Sequence, residues 1–226
     1  MRMLVSALGA ALLLAATARA TSPRLGMAFA AGVHPHAATG RAGALADDPD
    51  SGADMLDAPA PEWSFTRWIG PPLLLARLRG RVVLLRWWTE GCQYCAATLP
   101  ELERLRRQRA DQGLVVIGVF HPKPPREVSD RQIVALAKRL GYRGPLAVDR
   151  DWTTLDRYWL TGHPERAWTS VSFLIDRDGM IRWVHGGGEY HPSADPAHAR
   201  CAVQYRELEK TIALVLAERP HATSTP

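Results

Sequence analysis

The sequence predicts one α/β domain, in which a central mixed β-sheet is flanked by helices and preceded by an N-terminal extension. Three observations support this fold class. Two long runs of β-branched and aromatic residues lack polar alternation, which is typical of strands buried on both faces. Segments with helical periodicity follow these runs, so the first strands should pair in parallel. A final pair of strand-like runs is separated by a tight turn, which predicts antiparallel pairing.

The first half of the domain contains the two long strands. Arg81 to Trp88 (RVVLLRWW) is the first, and Gly113 to Phe120 (GLVVIGVF) is the second. Between them, Leu99, Leu102 and Leu105 recur at the spacing of one helix face. The order strand, helix, strand is therefore expected here.

The second half continues the alternation and ends in a hairpin and a helix. Ser129 and Gln132 have the spacing of a capping box, and Gly141 suits the end of the helix that this box begins. The next elements are a strand over 146–149, a short helix over 152–159, two strands over 171–175 and 180–185 flanking an Asp-Arg-Asp-Gly turn, and a helix that begins at Asp195-Pro196.

The N-terminus resembles a secretory signal peptide. Arg2 provides the positive charge, Leu4 to Ala16 is an apolar stretch too short to span a membrane, and Ala18-Arg19-Ala20 matches a cleavage pattern. We therefore expect a periplasmic or otherwise exported protein, cleaved near Ala20, rather than a membrane-anchored one. Composition then divides the rest of the chain into a flexible Ala/Asp/Pro-rich leader over 21–62, a folded unit over 63–218 and a disordered tail over 219–226.

Composition and charge exclude several classes of protein. The formal net charge is +5, from 28 basic and 23 acidic residues, and the basic residues are scattered, so no nucleic-acid partner is expected. Three cysteines are too few for a disulfide-stapled small protein. We expect a monomer.

Cys92 and Cys95 are the main chemical signal. They lie between the end of a buried strand and the start of a helix, one helical turn apart, where their sulfurs can bond to each other. The positive end of the helix dipole favours a thiolate at Cys92. A structural disulfide and half of a zinc site are the alternatives. The first would close a loop too small to add much stability, and the second lacks another ligand pair at zinc spacing.

Further motifs surround the cysteine pair. Residues 78–85 are LRGRVVLL, and Trp88 stands four residues before the first cysteine. Pro100 begins a PELxxL pattern, and residues 173–179 have the pattern FLIDxxG. With Cys92 and Cys95, these motifs resemble those of the thioredoxin superfamily, and within it the exported TlpA/ResA-like thiol–disulfide oxidoreductases, over about residues 63–190.

This resemblance implies a thioredoxin-like fold and dithiol–disulfide exchange. Cys92 would attack a substrate disulfide, and Cys95 would resolve the mixed disulfide. The expected partners are protein disulfides or dithiols and a membrane-bound electron donor or acceptor, and no cofactor or metal is expected besides the redox-active cysteine pair. Trp88, Glu90, Gln93 and Tyr94 are further candidates for substrate binding or tuning, together with four residues treated below: Arg86, His121, Thr169 and Ser170.

Three departures from the family pattern concern the site. The family's cis-proline is replaced by Ser170, preceded by Thr169, and a trans bond is expected there. Arg86 stands where thioredoxins often bury a carboxylate. It would favour a thiolate and a more oxidising couple if it points to the cysteines, and otherwise it points to solvent. Gly91 replaces an aromatic residue and leaves the first sulfur more open.

The remaining candidates are histidines and the third cysteine. His121 ends the second long strand and could approach Cys92 to relay a proton, or could be a solvent-facing loop residue. Cys201 falls on an apolar helical stripe and is expected to be a buried, inert thiol. Three histidines and a glutamate near the C-terminal helix could meet around a metal, although their irregular spacing does not require it: His185, His191, His198 and Glu189.

Two other functions remain open on the sequence. Thr89 and Cys92 have the T-x-x-C spacing of peroxiredoxins, which would make Cys92 the peroxidatic cysteine of a thiol peroxidase. Alternatively, Cys92, Cys95 and His121 could form a non-catalytic copper-binding module, because thiolates with imidazole suit copper.

Overall fold

The computed structural model describes residues 51–219. Its centre is a sheet with the strand order β1-β4-β3-β2-β5-β6. The strands are β1 (Arg67–Ile69), β2 (Val82–Trp88), β3 (Leu114–Phe120), β4 (Leu146–Val148), β5 (Ser172–Ile175) and β6 (Ile181–His185). The pairs β2/β3 and β3/β4 are parallel, whereas β1, β5 and β6 join antiparallel, so the predicted mixed sheet is confirmed.

Helices cover both faces of the sheet, as an α/β domain requires. They are α1 (Gln93–Arg109), α2 (Asp130–Arg139), α3 (Thr153–Leu155), which continues as a π-helical turn over Asp156–Leu160, and α4 (Ala199–Ala217). The buried residues of α1, α2 and α4 join one core cluster, and those of α3 and its π-turn join the other.

Strand β2 lies between these two clusters and is buried along its whole length. Leu84 and Trp88 face the cluster of α1, α2 and α4, whereas Val83, Leu85 and Trp87 face the opposite one. A strand with two covered faces shows no polar alternation, which is why the sequence run is continuously apolar. Arg86 is the exception in this run, and the alternation of side chains places it on the α1 and α4 face.

Two local motifs have the structure that the sequence predicts. Ser129 Oγ accepts from the N–H of Gln132, and the Gln132 side chain accepts in return from the N–H of Ser129, which completes the capping box of α2. In the β5–β6 turn, Asp176 Oδ1 accepts from the N–H groups of Asp178 and Met180, and Gly179 adopts a φ of 81°.

The packed domain begins before the predicted boundary at residue 63. The segment 53–60 lies along β6, where Asp57 N–H donates to the Ile181 carbonyl and Ile181 N–H donates to Ala58, over 2.8 and 2.9 Å. The edge strand β1 was also not predicted. It has only three residues, so it offers no periodicity to detect. Residues 51–62 thus belong to the ordered domain rather than to a flexible leader.

Several predictions fall outside the described residues. These are the signal peptide over 1–20, the leader up to residue 50 and the tail from residue 220. Within residues 51–219, no helix combines the length and the apolar character needed to cross a bilayer.

Candidate active site

Cys92 and Cys95 form a disulfide at the start of α1. Cys92 is the N-cap of the helix, and its sulfur accepts from the N–H of Cys95 over 3.1 Å. Cys95 is completely buried, whereas Cys92 is partly exposed. A partner molecule can therefore reach the sulfur of Cys92 directly and that of Cys95 only through it.

The surroundings of α1 favour negative charge on the Cys92 sulfur. The first N–H groups of a helix lack internal partners, and the helix dipole is positive at this end. No acidic residue lies in the first turn of α1. Gly91 precedes the motif with a φ of 67° and is exposed, with no atom within 4 Å of the position that a Cβ would occupy. The sulfur of Cys92 is thus approachable from this side, as the sequence predicts.

Ser170 contacts both sulfurs of the disulfide. Its Oγ lies 3.5 Å from Cys92 Sγ and 3.6 Å from Cys95 Sγ. The only cis peptide bond among residues 51–219 precedes Pro124, so the Thr169–Ser170 bond is trans, as predicted. A proline has no polar hydrogen, whereas this hydroxyl can donate to a thiolate at either sulfur. Ser170 thus places a hydrogen-bond donor directly beside the disulfide.

Arg86 is fully buried behind Ser170 rather than directed to solvent. Its Nη1 donates to the Ser170 carbonyl over 2.6 Å, and its Nη2 donates to the Gly188 carbonyl over 2.7 Å. Burial lowers the pKa of Arg86, while Tyr190 and Glu189 oppose this shift. An arginine keeps its proton in proteins, so a positive charge lies behind Ser170, which itself contacts the disulfide. This settles the orientation that the sequence left open.

The segment 188–190 holds Arg86 in this position. The guanidinium lies over the Tyr190 ring, 5.4 Å from its centroid, and the Tyr190 hydroxyl lies 2.9 Å from Ser172 Oγ. The N–H of Tyr190 donates to Thr98 Oγ1 on α1. Backbone and side-chain contacts of this segment thereby connect β2, β5 and α1 beneath the disulfide.

His121 is buried and does not act on the sulfurs. Its Nδ1 lies 3.0 Å from the Trp88 carbonyl, and its Nε2 lies 2.9 Å from Thr169 Oγ1. Burial lowers the pKa of His121 to about 3, and the charges of Lys123 and Arg86 add to the shift. The ring is thus neutral, with Nδ1 donating to the carbonyl and Nε2 accepting from Thr169. Neither alternative from the sequence is found: the ring is buried rather than facing solvent, and its nitrogens contact Trp88 and Thr169, the neighbour of Ser170, rather than Cys92.

Glu90 and Thr89 precede the motif and have different surroundings. Glu90 forms an ion pair with Arg126, so its carboxylate is engaged at the surface rather than directed to a sulfur. Thr89 Oγ1 is buried, and no hydrogen bond to it is found among the described residues. The hydroxyl-to-sulfur contact that a T-x-x-C peroxidase site would use is therefore not formed between Thr89 and Cys92.

Aromatic side chains lie on either side of the motif. Tyr94 is partly exposed and meets Trp168 edge to face, with the ring centroids 5.5 Å apart. Gln93 is exposed beside it. Trp88 is fully buried against Phe120, so it supports the site from below and cannot contact a substrate. Tyr94, Gln93 and Trp168 thus form the accessible surface around Cys92.

Sequence reasoning missed three residues of this site, namely Trp168, Ser172 and Tyr190. Trp168 could have been found, because it directly precedes the Thr169-Ser170 pair that replaces the family's proline. Ser172 interrupts an otherwise apolar strand, which is a weaker signal. Tyr190 lies in a loop that shows no periodicity, so only the fold reveals its contact with Arg86.

Two further predictions about thiols and metals are corrected by the structure. Cys201 is partly exposed rather than buried, because it lies at the start of α4, at the edge of the apolar stripe. The possible copper site is not formed, since Cys92, Cys95 and His121 do not appear among the residues in 51–219 whose ligand atoms converge.

One protein-family model matches most of the described domain. A model of the AhpC/TSA family matches residues 56–184, which is more than half of the chain. Protein DipZ from Mycobacterium tuberculosis is 32% identical over 131 residues, which cover 56% of this chain and 18% of DipZ. The thiol-disulfide oxidoreductase ResA from Halalkalibacterium halodurans is 29% identical over 119 residues, covering 53% of this chain and 61% of ResA. The chain thus spans less than two thirds of either relative.

A solved structure shares the fold. The thiol-disulfide isomerase from Corynebacterium glutamicum superposes with a TM-score of 0.53 at 24% identity, and the match covers 70% of this chain and 97% of that chain. The thioredoxin-like fold predicted from the sequence is confirmed.

Proposed function

The chain belongs to the AhpC/TSA family, and on that premise we propose that it catalyses thiol–disulfide exchange with protein substrates. One observation carries the proposal: the two bonded sulfurs are unequal in access. Cys92 is partly exposed at a helix N-terminus, and Cys95 is buried behind it. An attacking thiol must be reached by the substrate, whereas a resolving thiol needs only to reach its neighbour.

The reaction proceeds in two exchange steps that balance in electrons and bonds. In the reduced protein, the Cys92 thiolate attacks one sulfur of a substrate disulfide, so the Cys92–substrate bond forms and the second substrate sulfur leaves as a thiolate. Cys95 then loses its proton and attacks Cys92. The Cys92–Cys95 bond forms, and the first substrate sulfur leaves. Two electrons have passed to the substrate, and the reverse sequence oxidises a substrate dithiol.

Arg86 and Ser170 shift the reduction potential of the Cys92–Cys95 couple. The buried guanidinium charge and the Ser170 hydroxyl both stabilise a thiolate, and therefore the reduced form, relative to the disulfide. A couple whose reduced form is stabilised is a stronger oxidant. We propose that these two residues make the protein more oxidising than the same site would be without them.

The proposed setting is outside the cytoplasm. The signal-peptide pattern of residues 1–20 supports export, and an oxidising compartment is where protein disulfides form. A membrane-bound electron donor or acceptor would then recharge the cysteine pair. We propose that the protein acts as a monomer, with Tyr94, Gln93 and Trp168 contacting the substrate around Cys92.

Serine variants of the two cysteines test the proposal. With insulin as the disulfide substrate and dithiothreitol as the reductant, Cys92→Ser should abolish exchange, because no attacking thiol remains. Cys95→Ser, reduced and then freed of dithiothreitol before insulin is added, should instead accumulate a mixed disulfide, which a non-reducing gel detects as a reductant-sensitive band of higher mass. Val203→Ser, an exposed position on α4, is the matched control and should keep full activity.

Two results would contradict the proposal. Full insulin reduction by both cysteine variants would remove Cys92 and Cys95 from the reaction. Rapid, stoichiometric loss of the Cys92 thiol on addition of hydrogen peroxide, without insulin reduction, would instead favour the thiol peroxidase. We expect slow peroxide consumption, because the Thr89 hydroxyl does not contact the sulfur.

A further inference from the structure

A second group of potential ligands lies away from the disulfide. Glu189 and His191 are in the loop after β6, His198 ends a short 3₁₀ turn, and Cys201 lies in the first turn of α4. One ligand atom from each residue lies within 4.8 Å of all the others. The four residues are spread over thirteen positions of irregular spacing, so folding of the loop onto α4 is what brings them together.

The spacing of these atoms resembles that of a metal coordination sphere. Glu189 Oε1 lies 3.0 Å from His198 Nδ1, 3.7 Å from Cys201 Sγ and 3.8 Å from His191 Nε2. His198 Nδ1 lies 3.8 Å from Cys201 Sγ. Zinc bonds of about 2.0 to 2.3 Å in a tetrahedron place neighbouring ligand atoms about 3.3 to 3.8 Å apart. The group therefore needs only small side-chain adjustments to surround an ion.

His191 is oriented for coordination by its other ring nitrogen. Its Nδ1 lies 3.0 Å from the Pro192 carbonyl, which can only accept, so Nδ1 carries the proton. The lone pair of the neutral ring is then on Nε2, the atom that faces Glu189. Donation of the second N–H to a backbone carbonyl is the usual way in which a metal-bound histidine is held. The side chains of His191 and Glu189 are only 18% and 17% exposed, which restricts their motion.

We propose that Glu189, His191, His198 and Cys201 form a zinc-binding site that is separate from the disulfide. The ligand set is one thiolate, two imidazoles and one carboxylate. Magnesium and calcium require oxygen ligands, whereas zinc accepts nitrogen, sulfur and oxygen in four-coordinate sites. Binding converts the Cys201 thiol to a thiolate and releases its proton to solvent, with no change of oxidation state.

A nucleophilic role for Cys201 explains the same geometry less well. A reactive thiol needs positive charge or a free base beside it, yet the Cys201 sulfur lies 3.7 Å from a carboxylate oxygen of Glu189. His198 Nδ1, the nitrogen closest to the thiol, also faces that carboxylate. A cation at the centre of the group would instead be attracted by all four ligands.

The test uses the full chain with Cys92 and Cys95 kept oxidised. The sequence has three cysteines, so Cys201 is then the single thiol that can react. After removal of metal with EDTA and exchange into chelator-free buffer, one equivalent of Zn²⁺ should bind and should slow alkylation of Cys201 by iodoacetamide at least tenfold. Co²⁺ should give the intense visible absorption of a tetrahedral site and a sulfur-to-metal charge-transfer band.

Variants identify the ligands. Cys201→Ser should remove the charge-transfer band, and Cys201→Ser, His191→Ala and His198→Ala should each raise the Kd for Zn²⁺ at least tenfold. His163→Gln is the matched control, because His163 is paired with Glu165 outside the group. Circular dichroism confirms that each variant is folded before titration.

Three outcomes would overturn the site. One is unchanged zinc affinity in Cys201→Ser, which would assign binding to other histidines of the chain. Another is a Cys201 thiol that Zn²⁺ does not protect, and the third is equal loss of affinity in His163→Gln. None of these measurements requires exchange activity, so the zinc site and the proposed oxidoreductase function succeed or fail independently.

Discussion

Cys92 and Cys201 lie at the N-termini of two different helices, α1 and α4, and both therefore experience the positive end of a helix dipole. Their neighbours differ in charge. Cys92 is contacted by the Ser170 hydroxyl, behind which lies the Arg86 guanidinium. Cys201 faces the carboxylate of Glu189, and its pKa is raised by burial and by that carboxylate.

The difference shows that a helix N-terminus does not by itself decide what a cysteine does. At α1, the surrounding groups stabilise an anionic sulfur in the protein alone. At α4, they would stabilise it only when a cation is present to offset Glu189. A cysteine near a helix N-terminus is thus suited to electron exchange in one place and to ligation in the other.

The largest expected effect concerns two buried histidines, one behind each helix start. Burial lowers the pKa of His121 and of His185 to about 3. The unfolded chain binds their protons near pH 6.5 and the folded protein does not, so stability present above that pH is lost as the pH falls below it. Each histidine should lower the free energy of unfolding by about 1.4 kcal/mol between pH 7.5 and pH 5.5.

Urea unfolding in EDTA at the two pH values measures this loss. The change in unfolding free energy between pH 7.5 and pH 5.5 should be about 1.4 kcal/mol smaller in His121→Gln and in His185→Gln than in the wild type. This holds whatever effect each substitution has on stability at a single pH. Carboxylates titrate equally in the wild type and the variants, so the subtraction removes their contribution. If a variant loses as much unfolding free energy between the two pH values as the wild type does, the histidine that it lacks is protonated in the folded wild type.

Thiol reactivity compares the two cysteines directly. In fully reduced protein with EDTA at pH 7, iodoacetamide should alkylate Cys92 at least about tenfold faster than Cys201, because a larger thiolate fraction outweighs the lower nucleophilicity of a more acidic thiol. Peptide mass spectrometry gives both rates in one sample. Oxidised protein is the control, since Cys92 should then be protected while Cys201 reacts as before. Equal rates in the reduced protein would contradict the contrast.

Removing the buried positive charge of Arg86 should reduce the difference between Cys92 and Cys201. Arg86→Gln should lower the midpoint potential of the Cys92–Cys95 couple by about 30 mV, a tenfold change in its equilibrium constant, because the reduced form loses the guanidinium. Arg86→Lys keeps a positive charge and should stay closer to the wild type. Glutathione titration followed by mass spectrometry measures all three proteins. A higher potential in Arg86→Gln would reverse the assigned role.

The smallest effect is expected at the hydroxyl beside the sulfurs. Ser170→Ala removes a neutral donor but leaves Arg86 on the backbone carbonyl, so the potential should fall by about 15 mV, a threefold change. Ser193→Ala, in the partly exposed loop before α4, is the control and should match the wild type. A fall as large as that of Arg86→Gln would mean that the hydroxyl, rather than the charge, dominates.

The parts of this structure that the sequence predicts are those that follow local rules. The runs of β2 and β3 are apolar because both faces of the sheet are covered, and the capping box at Ser129 is a contact between residues three apart. The position of Cys92 and Cys95 follows from the strand and helix around them. Each of these signals lies within one stretch of sequence.

The parts that were not predicted depend on contacts between distant stretches. The orientation of Arg86 could not be predicted, because a strand buried on both faces has no polar side to indicate where its arginine points. The sequence left open whether His121 approaches Cys92 or faces solvent, and its ring is instead buried and contacts Thr169. The meeting of Glu189 with Cys201 depends on how a loop without periodicity folds back onto α4.

The bond from Arg86 to the Gly188 carbonyl joins residues 102 positions apart. A nascent chain that has emerged only as far as α3 would therefore contain both active-site cysteines without the acceptors that hold the guanidinium in place. Transplanting residues 82–95 alone into another scaffold would create the same deficiency. The position of Arg86 thus depends on residues 170–190, and it is complete only once this segment packs beneath the first helix.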